Sequence, residues 1–129
     1  MDYVVVLIAG FAGYVFGAVW YGILGKAWQN AVGLGPEDVK PAKNIGAYIL
    51  GIVANVLVAG MMRHIFVASG VAGPLNAAVS GFGLGLFIAG SYLALNYAFA
   101  RRNRTLALID IGHAAGSATV IAVTLDLLS

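Results

Sequence analysis

The stretch YVVVLIAGFAGYVFGAVWYGILG, Tyr3–Gly25, carries no charged side chain from end to end. A helix needs about 20 consecutive, mostly apolar residues to cross a hydrocarbon core about 30 Å thick. Tyr3–Gly25 meets that length and reads as a membrane span. A secretory leader begins with a basic segment and ends on a small-residue cleavage site. Here the start is Met1-Asp2-Tyr3, acidic, and Gly25-Lys26-Ala27 is a poor cleavage site, so the span is expected to stay in the protein.

The rest of the chain repeats the pattern. Of its 129 residues 61% are hydrophobic and only 9% charged, where ordinary soluble domains carry roughly 25% charge. Mean hydropathy is +0.94. A soluble fold of this size buries only about 60–70% of the surface of its unfolded chain, too little to hide so much apolar area, so lipid must cover the remainder. Further spans are expected at about 44–68, 74–100 and 105–127, in one domain over 1–129. Lys26–Lys43 forms a polar connection that Gly33, Gly35, Pro36 and Pro41 keep from being one helix, SGVAGP a turn at Ser69–Pro74, and RRNR a basic turn at Arg101–Arg104. The expected fold is all-α: a polytopic integral membrane protein with four transmembrane helices in a compact up-down bundle.

Four spans place both termini on one side. The first and third connections share the other side and hold Lys26, Lys40, Lys43, Arg101, Arg102 and Arg104, six of the seven basic residues. Basic loops face the cytoplasm, so both termini are expected on the periplasmic or exterior side of a bacterial inner membrane. The basic residues thus have a topological explanation, and no nucleic-acid partner is expected.

Lipid gives helices no hydrophobic reason to associate, so small residues that let backbones approach, and interhelical hydrogen bonds, must supply the cohesion. Every span has such a row at spacing four: Gly13 and Gly17, Gly51 and Asn55, Gly81 and Gly85, Gly112 and Gly116. Spacing of four keeps each row on one helix face. These rows serve packing within the bundle or contact with a second protomer or another membrane-protein subunit. Trp20 and Trp28 bracket the Lys26 end of the first span, where amphipathic rings favour the headgroup level.

The segment VWYGILGKAW (Val19–Trp28), the following VGLGPEDVK, and later SYLALNYAF, a basic turn and LALIDIGHAAGS together resemble the small four-helix bacterial membrane proteins catalogued as domain of unknown function 1761. The resemblance spans nearly the whole chain, its distinctive element being Trp-Tyr followed by Gly-Lys-x-Trp. It implies a four-helix membrane fold and no established activity. The chain departs from the family pattern in lacking Pro and Phe between Tyr21 and Gly25. Asp110 and His113 also replace a neutral polar and an aromatic residue, so a chemistry shared by the family cannot depend on them.

Ionisable groups inside a membrane are costly and draw attention as sites. At about 1.5 Å per residue, Asp110 lies about 9 Å and His113 about 13 Å beyond Arg104. On the antiparallel third span Asn96 and Tyr92 lie at matching depths. The expectation is an inner-leaflet polar cluster of Tyr21, Tyr48, Tyr92, Asn96, Asp110 and His113, with Ser117 beyond. Such a cluster is either a satisfied hydrogen-bond network or a pocket that handles a proton, ion or small solute. No catalytic residue and no metal site is expected: cysteine is absent, no zincin motif occurs, and no two carboxylates share a depth. Gly83–Gly90 lacks the preceding strand that a phosphate loop requires. A tetrapyrrole or metal would have only His64, with Gly60 one turn earlier, or His113; these lie in opposite halves of the membrane, and no cofactor is expected. Two functions follow, both non-enzymatic: a packing or accessory subunit of a membrane assembly, or a small transporter or channel working through the polar cluster.

Overall fold

The computed structural model describes residues 2–129 as an all-helical chain, with no strand among them. Helix α1 spans Asp2–Val32, α2 Ile45–Ser69, α3 Pro74–Gly83, α4 Gly90–Phe99 and α5 Arg104–Leu127. A π-helical segment, Leu84–Ala89, joins α3 to α4 without a break, so the two form one rod over residues 74–99. The four long rods are each apolar enough to cross a membrane.

Local chemistry sets the ends. α1 runs through Gly25 and Lys26 and stops at Gly33, whose φ of 83° is a conformation glycine adopts without cost. Two short 3₁₀ turns, Pro36–Val39 and Pro41–Lys43, lead to α2. α2 ends on Gly70, left-handed at φ 72°, and Pro74 occupies the first turn of α3, where its missing N–H has no intrahelical acceptor to lose. Asn103 caps α5, accepting from the Thr105 N–H at 2.7 Å. At the opposite end Gly73 N–H donates to Asp126 Oδ1 at 2.8 Å, tying the α2–α3 turn to the last turn of α5.

α5 is the centre of the bundle. α1 and the α3–α4 rod pack along it, while α2 packs on α1, touches α5 and barely meets α3. The apolar core lies in the half away from the basic turn, with Ala9, Ala59, Ala77 and Ala122 fully buried around Met62, Phe66, Ile121 and Leu125.

The glycine rows meet their neighbours in two ways. On the α3–α5 seam backbones touch: a Cβ on Gly81 would stand 2.7 Å from the Ala118 carbonyl oxygen, and one on Gly85 2.5 Å from that of Ala114. On the α1 seams the glycines mostly receive side chains. Gly17 makes room for His113, Gly112 for Trp20, Gly116 for Phe16, Gly51 for Tyr14, and Gly13 for Asn55 and Ile121. Glycine there is a socket for a ring or branched side chain rather than a place where two backbones meet.

Candidate functional site

Three rods converge on Asp110. Tyr21 of α1 donates its hydroxyl to Asp110 Oδ1 at 2.5 Å, and Tyr97 of α4 donates to Oδ2 at 2.6 Å. Hydrogen bonds from a hydroxyl to a carboxylate are short and stronger than neutral ones. Beside them the Trp20 indole donates to the Ile109 carbonyl at 3.0 Å, in the space that Gly112 leaves. Carbonyls in a helix interior already accept one bond, and the second lone pair serves Trp20.

One turn further along α5, the His113 ring lies 5.0 Å from the Tyr21 ring and 6.4 Å from that of Phe16, centroid to centroid. Phe16 in turn stacks on Trp20 at 5.8 Å. Another turn on, Ser117 donates to Asn55 Oδ1 at 2.9 Å, and Asn55 Nδ2 donates to the Gly51 carbonyl at 2.7 Å. Asp110, His113 and Ser117 stand at i, i+3 and i+7, one face of α5. The row ends against the apolar core, where Ile121 and Ala122 are buried.

The structure thus gathers Tyr21, Asp110 and His113 from the expected cluster and leaves three residues out. Tyr92 is 65% exposed, Asn96 is also exposed, and Tyr48 is 39% exposed and donates to the Val39 carbonyl in the first connection. Tyr97 takes the place assigned to Asn96 and Tyr92. The π segment is the cause. A regular helix would continue the Ala77, Gly81, Gly85 row through Ala89, Tyr92 and Asn96. Instead the Gly90 N–H bonds to the Gly85 carbonyl, five residues back, and one extra residue is absorbed. The row continues through Gly90, buried against Ile111, then Leu93 and Tyr97, while Ala89 turns outward. The only trace of this in the sequence is that Gly90, Leu93 and Tyr97 are themselves spaced i, i+3, i+7.

The two tryptophans expected at the headgroup level each contact another part of the bundle. Trp20 lies against α5, inside the bundle, because Gly112 offers it a socket. Trp28 packs edge-on against the Tyr21 ring at 6.1 Å. Asn55 and Ser117, from different helices, form a hydrogen-bonded pair that spacing alone did not reveal. His64 is exposed on α2, well apart in the chain from the buried row of α5. Among the described residues no three His, Cys, Asp or Glu side chains gather as a metal site.

A cavity of about 420 Å³ opens between α2, the π segment and α5, with Asn55, His113 and Ser117 in its wall beside Met62, Leu84 and Gly85. A second, of about 370 Å³, continues it toward the α2–α3 turn.

Fold and site define a class: an all-helical chain of four rods apolar enough to cross a membrane, pinned by one carboxylate that two tyrosines hold. The chain belongs to the DUF1761 family, proteins of unknown function, whose family model matches residues 4–125. No curated protein and no solved structure matches it.

Proposed function

We propose that the protein is a multi-pass protein of the bacterial inner membrane, both termini outside, that works without catalysis as an accessory subunit of a larger membrane assembly. The orientation rests on the six basic residues at the Lys26 and Arg101–Arg104 end. The observation that carries the role is the double tyrosine grip on Asp110. A carboxylate whose two oxygens are both held by hydroxyls from other spans is a clamp that fixes helix positions. It is poorly placed as an acid that must repeatedly gain and lose a proton. With the glycine sockets filled internally, partner contact falls to large apolar faces. On rim helix α2, Ile49, Val53 and Leu57 make an exposed row one turn apart.

Native mass measurement after extraction in mild detergent tests this. A complex heavier than the 13.3 kDa chain, retained in Asp110→Asn, is the expected result. A stable lone monomer refutes it.

A second reading, a small transporter for a proton or solute, draws on the row Asp110, His113, Ser117 and on His113 facing a cavity. It requires the sealed half around Ile121 and Leu125 to open. Proton or solute flux in proteoliposomes that Asp110→Asn abolishes is its signature.

A further inference from the structure

We propose that the turn Arg101–Arg104 binds the phosphate of one anionic glycerophospholipid, whose acyl chains run along the exposed apolar residues directly beneath it. This goes beyond the accessory role and rests only on the part of that reading in which the four rods cross a bilayer.

The first connection spreads Lys26, Lys40 and Lys43 along its length beside Glu37 and Asp38, and Lys40 pairs with Glu37 at 3.0 Å. The third connection instead sets Arg101, Arg102 and Arg104 within one short turn that holds no acid. The nearest carboxylate in the sequence, Asp110, is already held by Tyr21 and Tyr97. All three arginines are exposed, and none makes an ion pair among the described residues. Membrane topology asks only for basic residues on one side. It requires neither three cations in one turn nor arginine in place of lysine. A guanidinium presents a planar fork that matches phosphate bidentately, where an ammonium offers a point charge.

The turn is held in one shape. Arg101 N–H donates to the Ala98 carbonyl at 3.2 Å and Arg102 N–H to that of Tyr97 at 2.9 Å, while Asn103 caps α5. Arg101 takes φ 56°, a left-handed conformation that glycine adopts freely and an L side chain resists. The chain carries that strain and gains a third cation in the turn; strained backbone of this kind clusters at ligand sites. The level suits a headgroup. Counted from the Tyr21–Asp110 contact at about 1.5 Å per residue, Arg104 stands about 9 Å further along α5 and Trp28 about 10 Å further along α1. The arginines thus share their level with a half-buried tryptophan, the residue that favours the headgroup region. Just beneath them the surface turns apolar. Phe99 is 84% exposed, and Leu108, one turn from Arg104 on the same face of α5, is 71% exposed. Cations with exposed apolar side chains within one turn fit an amphiphile, and basic segments at this place attract anionic lipids. A nucleic acid or an acidic peptide would leave the apolar part uncovered.

The experiment is native mass spectrometry of the full chain in mild detergent, titrated with phosphatidylglycerol or with phosphatidylcholine of the same acyl chains. The first phosphatidylglycerol is expected to bind about tenfold more tightly than phosphatidylcholine. Arg101→Gln, Arg102→Gln and Arg104→Gln combined are expected to abolish that preference, while Lys26→Gln with Lys43→Gln leaves it in place. All five positions are exposed, so the variants keep the fold. Arg101→Gly, which relieves the left-handed strain, is expected to weaken binding several-fold all the same. A preference that survives the arginine triple overturns the proposal. So does one that the lysine pair lowers equally, which would leave only a diffuse basic belt. Displacement by inorganic phosphate, but not by sodium chloride of equal ionic strength, assigns the turn to a free phosphate and overturns the lipid. Adducts are counted per chain, in a monomer or in a complex, so failure here is distinct from failure of the accessory role.

Discussion

The π segment makes an unusual forecast about deletions and insertions. One residue of α-helix turns the chain by about 100° and advances it by about 1.5 Å, so a single deletion inside a regular packed helix moves every following side chain off its face. In the α3–α4 rod the bulge already absorbs one surplus residue between Gly85 and Gly90. Deleting the exposed Ile88 leaves Gly90 four residues after Gly85, and a regular helix then carries Gly90, Leu93 and Tyr97 on the same face. Inserting one alanine after Ile88 has the opposite effect. It places Ala89, Tyr92 and Asn96 toward α5 and swings Tyr97 away. Tyr97→Phe reports which has happened. Hydrogen bonds to charged groups contribute about 1.5–3 kcal/mol; with Tyr97 only half-buried and Tyr21 still holding the other oxygen, we expect about 1–2 kcal/mol. That cost should persist in the Ile88 deletion and fall to about zero in the insertion, where Asn96→Leu becomes the costly change. Chemical unfolding in detergent, followed by circular dichroism as a double-mutant cycle, measures both. A deletion that silences Tyr97→Phe, or an insertion that leaves it costly, refutes the account of helix phase given above.

Other outcomes follow from single contacts. Gly85→Ala forces a methyl to 2.5 Å from the Ala114 carbonyl oxygen and 2.7 Å from Ala115 Cα. Backbone cannot step aside, so a loss of about 2–3 kcal/mol is expected in the same unfolding assay. Gly83→Ala meets nothing within 4 Å and should stabilise by up to about 1 kcal/mol through helix propensity. Arg101 sits left-handed at φ 56° after α4, so Arg101→Gly relieves about 1 kcal/mol of strain, read as a higher melting temperature. Asn103→Ala removes the acceptor for Thr105 N–H and should lower stability by about 1 kcal/mol.

The clamp at Asp110 and the glycine sockets explain how a chain with so little charge acquires one defined helix arrangement. Lipid-facing surfaces are interchangeable, so specificity must come from a few polar bonds and from shape. Tyr21 and Tyr97 fix the rotation of α1 and α4 about α5 at the basic end. The Gly73–Asp126 bond fixes the turn at the other end. Between them Trp20 and Phe16 of α1 enter the sockets of Gly112 and Gly116 on α5, which sets the register.

Much of this was legible beforehand. Uncharged runs of bilayer length announce four helices, and the Ser69–Pro74 turn is marked by Gly70 and Pro74, because these signals act within a few residues of chain. The first helix instead runs past the expected end at Gly25 to Val32. Order along the helix axis was legible too, which is why Asp110, His113 and Tyr21 were expected in one cluster. The azimuth of each helix was not. Tyr92 and Asn96 have the right depth and spacing, but the turn of α4 about its axis is settled by how Gly81, Gly85 and Gly90 seat on α5. One surplus residue in a π turn is enough to exchange Asn96 for Tyr97. Likewise, no local pattern tells whether a glycine will meet a backbone, as Gly85 does, or a ring, as Gly112 does for Trp20. By itself the sequence determined that there are four long apolar helices and the order of the polar groups along each, since those follow from hydropathy along the chain. Which faces meet, and so which tyrosine holds Asp110, was decided only in the tertiary structure, because helix phase is set by the fit between neighbours.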